Sequence, residues 1–138
     1  GNPRRMTVGL DRFRAAMLMA IAEKKLGYSF AGEDVYLNVA GGLEIEEPAA
    51  DVGILLAAVS SVKNQALPPE VAVFGEVGLS GEIRSVTQPV LRVKEAASMG
   101  FKMVVLPQGN KSRVSQERIA GVEIVGVVDV RQAIKLFF

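Results

Sequence analysis

The chain has 138 residues, 49% of them hydrophobic and 22% charged, which suits one globular domain with a substantial core. It contains no cysteine and no histidine, so disulfides, thiolate metal sites and Ser-His-Asp or Cys-His catalysis are excluded within it. The net charge is +1, and binding to nucleic acid would therefore depend on a local basic patch.

An extended lead-in and a first helix open the chain. Pro3 disfavours helix before it, so residues 1–9 are predicted to be extended. The first helix is predicted from about Leu10 to Lys25, with its stop at Gly27. Its apolar residues have helical spacing and predict a buried face made of Leu10, Phe13, Met17, Ala20 and Ile21.

The next segment predicts a half-buried strand and a buried helix. Apolar and polar residues alternate from Asp34 to Val39, which indicates a strand that ends at Gly41-Gly42. The segment Pro48-Ala49-Ala50-Asp51 opens a second helix, from about Ala50 to Lys63. Apolar residues cover nearly its whole circumference, which predicts a place in the middle of the domain.

A glycine-rich stretch follows this helix. The apolar run Val71–Phe74 predicts a buried strand, and Gly75, Gly78 and Gly81 then recur at every third position. With Ile83 beyond them, the pattern predicts a strand, an irregular turn and a second short strand. The spacing differs from the Gly-x-Gly-x-x-Gly fingerprint of dinucleotide-binding proteins. By itself the stretch favours a glycine-rich hairpin that has no chemical role.

Helices and strands continue to alternate in the C-terminal third. In chain order the pattern predicts a helix over Pro89–Met99, a strand over Met103–Leu106, a polar loop over Gln108–Arg113, a helical turn over Val114–Ile119, a strand over Val122–Val128 and a last helix, capped by Asp129, that runs through Leu136. This alternation predicts an α/β fold (an α+β sandwich), a mixed sheet with helices packed on it.

The run Phe74–Arg84 resembles the Lon proteolytic-domain superfamily and, within it, the C-terminal domain of the bacterial RadA (Sms) recombination and repair family. Further matching segments occur in the family order over nearly the whole chain: Asn2–Arg5, Gly9–Asp11, Asp34–Gly42, Glu47–Asp51, Glu95-Ala96 and Gly100-Phe101. The resemblance implies a single Lon-like domain over residues 1–138. Its abrupt start leads us to expect a fragment of a longer protein.

The resemblance also implies that protease chemistry is absent. Active Lon-type proteases use a serine nucleophile and a lysine base, since a partly desolvated lysine can activate the serine hydroxyl. In this sequence Ala49 stands in the place of the serine and Val90 in the place of the lysine. Phe74 replaces a threonine that many active members carry before the Gly-Glu pair. No catalytic residue and no metal ligand is therefore expected in the domain.

Two alternatives remain open at this stage. A relocated Ser-Lys dyad could make the domain a Lon-like serine peptidase, and the residues available for it are Ser60, Ser61, Ser80, Lys63, Lys94 and Lys102. The domain could also be the Lon-like part of another ATPase, such as a magnesium-chelatase-related competence protein.

The parent protein that the resemblance implies is a ring-forming motor, expected to be a hexamer, that uses ATP to drive branch migration on DNA in homologous recombination and repair. This chain has no Gly-x-x-x-x-Gly-Lys-Ser/Thr motif, so ATP, Mg and Zn are expected elsewhere in the parent and no cofactor is expected here. The expected partners are further copies of the same protein, single-stranded DNA and a recombinase filament. No apolar run approaches the ~20 residues of a membrane span, and the absence of cysteine fits a reducing bacterial cytoplasm.

Six arginines are the candidates for DNA contact in a ring scaffold of this kind. Guanidinium groups suit phosphate contacts, which position a protein on DNA without reading its sequence. The candidates are Arg4, Arg5, Arg12, Arg14, Arg84 and Arg92. Each could instead be solvated or paired with a neighbouring carboxylate.

Overall fold

The computed structural model describes residues 3–30, 32–40 and 45–138. The strands are β1 (Arg5–Val8), β2 (Val35–Asn38), β3 (Val71–Val73), β4 (Glu76–Val77), β5 (Ile83–Arg84), β6 (Met103–Pro107) and β7 (Glu123–Val127). The helices are α1 (Arg12–Leu26), α2 (Asp51–Lys63), α3 (Pro89–Ser98), α4 (Gln108–Ser115) and α5 (Val130–Lys135). A 3-10 turn over Pro48–Ala50 leads into α2.

Within the described residues the strands form three small sheets, which confirms the predicted α/β class. β1 and β2 pair in parallel, and β3, β6 and β7 form a parallel sheet in the order β3-β6-β7. β4 and β5 form an antiparallel hairpin. Helices α1, α2 and α5 enclose the main core together with the hairpin and one face of the three-stranded sheet, while α3 and α4 build a second cluster on its other face.

The ends of α1 follow the sequence signals, but its buried face does not. Asp11 caps the first turn by accepting the Arg14 N–H at 3.2 Å, and Gly27 ends the helix in the left-handed region at φ 76°. The prediction that Phe13 faces the core is wrong, because its side chain is 86% exposed. Apolar residues occur nearly all round this helix, and the face that α2 and α5 cover is instead Ala15, Leu18, Ile21 and Ala22.

The second strand and helix agree with their predictions over the described residues. β2 alternates between half-buried and exposed positions, and its predicted end at Gly41-Gly42 lies outside the described residues. The first turns of α2 are buried, with Val52, Leu55 and Val59 at most 1% exposed. Towards its end the helix reaches the surface, where Val62 is 45% exposed.

The glycine-rich stretch forms the predicted strand, turn and second strand, but the first strand is half-buried, whereas the sequence predicts a buried one. Its position is set by Gly75, whose N–H donates to the Ala49 carbonyl at 2.8 Å and whose carbonyl accepts the Val52 N–H at 3.2 Å. Gly75 has φ 154°, and a Cβ built there would lie 3.0 Å from the Cγ2 atoms of Ile83 and Val52. A residue without a side chain therefore lets the hairpin approach the start of α2.

The C-terminal third agrees with prediction except at one element. Pro89 lies in the first turn of α3 and Asp129 caps α5 by accepting the Gln132 N–H at 2.8 Å. The predicted polar loop over 108–113 is wrong, since this segment is the start of α4. Few apolar residues mark this helix, but the buried Asn110 side chain bonds the backbone N–H and carbonyl of Val86 at 2.9 and 3.1 Å. A long-range polar contact therefore anchors the helix.

Candidate functional site

The position that resembles the catalytic serine lies in a tightly packed turn. Ala49 is 4% exposed, within the 3-10 turn that precedes α2. Its carbonyl accepts the N–H of Gly75, so the turn and the glycine-rich hairpin are joined by the backbone. The methyl side chain of Ala49 offers neither a nucleophile nor a proton.

An ion pair joins this turn to α3, the helix that carries Val90. Arg92 Nη2 donates to Glu47 Oε1, and Arg92 Nε donates to the Thr87 carbonyl at 2.9 Å. The guanidinium carbon also lies 5.8 Å from the centre of the Phe74 ring, within range of a cation–π contact. The hydrogen bond from Arg92 lowers the pKa of the Glu47 carboxyl below its usual range, against a smaller opposing effect of burial. Val90 itself is half-buried and packs on the second apolar cluster.

A second ion pair, buried deeper, holds α1 to the start of α2. Asp51 is fully buried and accepts from Arg14 Nε at 2.6 Å, from Arg14 Nη2 and from the Val77 N–H at 2.9 Å. The hydrogen bond to Asp51 raises the pKa of Arg14, and burial of the guanidinium opposes it. The two residues line a cavity of about 520 Å³ together with Asp11 and Glu47. Sequence reasoning missed this pair, although a lone carboxylate at the start of an apolar helix was a usable signal.

The structure divides the six candidate arginines into two groups. Four are engaged: Arg14 and Arg92 as above, Arg5 with the carbonyls of Phe30 (2.6 Å) and Glu33, and Arg84 near Glu76 (3.9 Å) and Glu82 (3.7 Å). The side chains of Arg4 and Arg12 are exposed, and within the described residues neither forms a hydrogen bond or an ion pair with its guanidinium. These two are therefore the candidates best placed to meet an outside anion.

The residues proposed for a relocated dyad are taken up by other contacts or exposed. The Ser60 hydroxyl donates to the Gln65 carbonyl, and Lys63 Nζ lies 5.7 Å from the centre of the Tyr28 ring. Ser61, Ser80, Lys94 and Lys102 are all exposed. A nucleophile and a base need to be within hydrogen-bond reach of each other and held in a shielded pocket, and these side chains are spread over the surface.

Neither a metal cluster nor a membrane-crossing helix occurs in the part of the chain that the structure describes. Over residues 3–30, 32–40 and 45–138, no group of three or more His, Cys, Asp or Glu side chains could hold a metal ion. Across the same ranges, none of the helices has the length and apolar character needed to cross a bilayer.

Comparison with known proteins gives two related matches. The family model described as subunit ChlI of Mg-chelatase matches residues 9–110. Proteins named DNA repair protein RadA are 43% identical over 99% of this chain in Halalkalibacterium halodurans, 42% over 98% in Bacillus subtilis and 42% over 99% in Escherichia coli. The chain spans 29% of the length of each of these relatives.

Proposed function

We propose that this chain, which belongs to the ChlI family and corresponds to a segment of RadA-type DNA repair proteins, is a non-catalytic, Lon protease-like domain. Its role would be to hold subunits together and to contact DNA. The parent would be a RadA-type, DNA-dependent ATPase that drives branch migration in homologous recombination and repair. The relation to ChlI fits the alternative of a competence-type ATPase, but the high identity to RadA proteins over the whole chain favours the first reading.

The observation that carries the loss of catalysis is the packing around Ala49. The Ala49 carbonyl accepts the N–H of Gly75, and beside this turn Arg92 of α3 pairs with Glu47 and lies over the ring of Phe74. A peptide substrate would find no nucleophile there and no free amine. Incubation of the full-length protein with a fluorogenic peptide should give no turnover, and turnover that falls on Ser61→Ala would favour the relocated dyad.

Of the six candidate arginines, we retain two for the proposed contact with DNA. Arg4 and Arg12 are exposed and have no partner among the described residues, whereas Arg5, Arg14 and Arg92 hold parts of the fold together. Arg84 is 56% exposed but lies between Glu76 and Glu82 of its own hairpin, which offset its charge. In the full-length protein, Arg4→Gln with Arg12→Gln should weaken binding to single-stranded DNA and lower the salt slope by about 1.4, at about 0.7 for each phosphate that is no longer neutralised. Arg113→Gln with Arg118→Gln removes two exposed arginines elsewhere and serves as the control. Equal slopes for both variants and wild type would refute a role for Arg4 and Arg12 in DNA binding.

The proposed assembly role is supported by the outer face of the β1–β2 sheet. Met6, Val8 and Tyr36 are 53%, 58% and 57% exposed, and Met6 pairs with Tyr36 in the parallel register. Parallel sheets in proteins are normally covered on both faces, so this apolar face fits a contact with a second copy in a ring. Threonine at all three positions should lower the sedimentation coefficient of the full-length protein. Leu91→Gln with Met99→Gln, at two exposed positions on α3 and directly after it, should leave the sedimentation coefficient unchanged. An unchanged assembly in the threonine variant would refute this role for the face.

For the remainder of the parent we propose ATP and Mg at a central ATPase and Zn at an N-terminal module, all outside this chain, and a recombinase filament as a partner. A hexamer in the bacterial cytoplasm fits this role. Metal content and nucleotide binding can be measured for the full-length protein and for the 138-residue chain. The comparison tests whether the ATP, Mg and Zn sites lie outside this chain.

A further inference from the structure

Basic side chains from three helices meet at a place that the sequence analysis did not connect with DNA. Lys24 and Lys25 from the last turn of α1, and Arg131 and Lys135 from α5, line one cavity of about 520 Å³ together with Tyr28. Lys63, in the last turn of α2, reaches the Tyr28 ring at 5.7 Å. We call this surface the α1–α5 basic cavity.

The geometry of this cavity is held by a contact between its two helices. Arg131 Nε donates to the Lys25 carbonyl at 3.0 Å, which fixes the side chain of Arg131 across the end of α1. Its two terminal nitrogens form no hydrogen bond within the described part of the chain and can donate to another acceptor. The lysines beside it are solvated, with Lys24 and Lys135 both exposed.

The local charge stays positive after the nearby negative groups are counted. Lysine at a helix end also complements the helix dipole, which places about −0.5 charge at each C-terminus. Among the described residues, five cations, the Glu23 carboxylate and three such helix ends leave about +2.5 at the cavity. Glu23 is itself engaged, accepting the Phe30 N–H at 2.9 Å, and Asp129 caps the opposite end of α5. The positive charge at the cavity is therefore larger than the charge needed to offset the three helix dipoles.

We propose that the α1–α5 basic cavity binds single-stranded nucleic acid, with the lysines and Arg131 on its phosphates and Tyr28 stacking a base. Sites of this type combine a positive groove with aromatic rings, because every base presents a π-face. A base on Tyr28 would take the place of Lys63, whose ammonium would turn to the neighbouring phosphate. This inference rests on the proposed DNA contact, and it adds a second contact about 18 Å along α1 from Arg12, at 1.5 Å for each residue.

The test uses the intrinsic emission of the chain, which has two tyrosines and no tryptophan. In a Tyr36→Phe background, emission reports Tyr28 alone, and titration with oligothymidylate should quench it in a saturable way. Lys24→Gln with Lys135→Gln should weaken binding roughly 50-fold at about 50 mM salt and lower the salt slope by about 1.4. Lys94→Gln with Lys102→Gln, two exposed lysines elsewhere, should leave both quantities unchanged. Circular dichroism checks that every variant is folded.

The outcomes separate this inference from the proposed function. Binding that leaves Tyr28 emission unchanged, tolerates loss of Lys24 and Lys135 and depends on Arg4 and Arg12 would overturn the cavity but keep the DNA contact. Equal losses of affinity in both lysine pairs would mean diffuse attraction and also overturn it. No binding of the oligonucleotide would remove both proposals. Sensitivity to the lysines without quenching would refute the stacking on Tyr28.

Discussion

The Arg14–Asp51 pair should be among the most sensitive points in the fold. The Asp51 side chain is 0% exposed and that of Arg14 is 28% exposed, so Asp51→Asn removes the buried charge that pairs with a mostly buried guanidinium. Breaking a buried pair by removing one charge costs about 3–5 kcal/mol. Because Arg14 retains some access to water and the amide oxygen can still accept the Val77 N–H, we expect the lower end, about 3 kcal/mol.

This loss of stability can be measured by urea unfolding and by thermal unfolding, each followed by circular dichroism. At about 2.1 cal/mol/K for each residue, about 3 kcal/mol corresponds to a fall in Tm of roughly 10 °C for a chain of this size. The matched control is Glu117→Gln, which breaks the Arg113–Glu117 pair on the surface of the C-terminal third, with a separation of 3.0 Å. Exposed pairs four residues apart contribute only about 0.3–0.5 kcal/mol.

A double-mutant cycle with Arg14→Gln isolates the interaction between the two side chains. We expect a coupling free energy well above that of the control pair. If Asp51→Asn and Glu117→Gln cost the same, and the coupling is near zero, the reasoning from burial is wrong. Arg14 would then return to the set of arginines available for DNA.

Two further predictions concern the turn around Ala49. The Arg92 hydrogen bond lowers the folded-state pKa of Glu47, so its stabilising effect is complete above the usual glutamate pKa of about 4.3 and is lost as the pH falls through the lowered value. The stability difference between wild type and Glu47→Gln should therefore be constant near neutral pH and shrink in urea titrations below about pH 4; a difference that persists in acid would contradict the cause. Gly75→Ala should cost about 2 kcal/mol, because its Cβ would lie 3.0 Å from Ile83 Cγ2 at a φ that side chains rarely adopt. Gly100→Ala, at φ 91° with no atom within 4 Å, should cost about 1 kcal/mol, and equal costs at the two positions would argue against close packing at Gly75.

Local signals in the sequence predicted most element boundaries and the family. Asp11, Gly27 and Asp129 act on backbone groups within a few residues of themselves, so their roles can be seen without the fold. The glycine-rich hairpin has the same local character. The resemblance to RadA proteins is confirmed by relatives that are 42–43% identical over nearly the whole chain.

Tertiary structure decided what the sequence left ambiguous. Apolar side chains of α1 occur on nearly all sides of the helix, so only its packing against α2 and α5 determines that Phe13 faces solvent. The pairing of Arg14 with Asp51 crosses 37 positions, and α4 depends on a contact between Asn110 and Val86, 24 positions apart. The physical reason is distance along the chain. The backbone hydrogen-bonding groups of a cap or turn are satisfied by residues close in sequence. The partner of a charged side chain and the buried side of a helix depend instead on segments that only folding brings together.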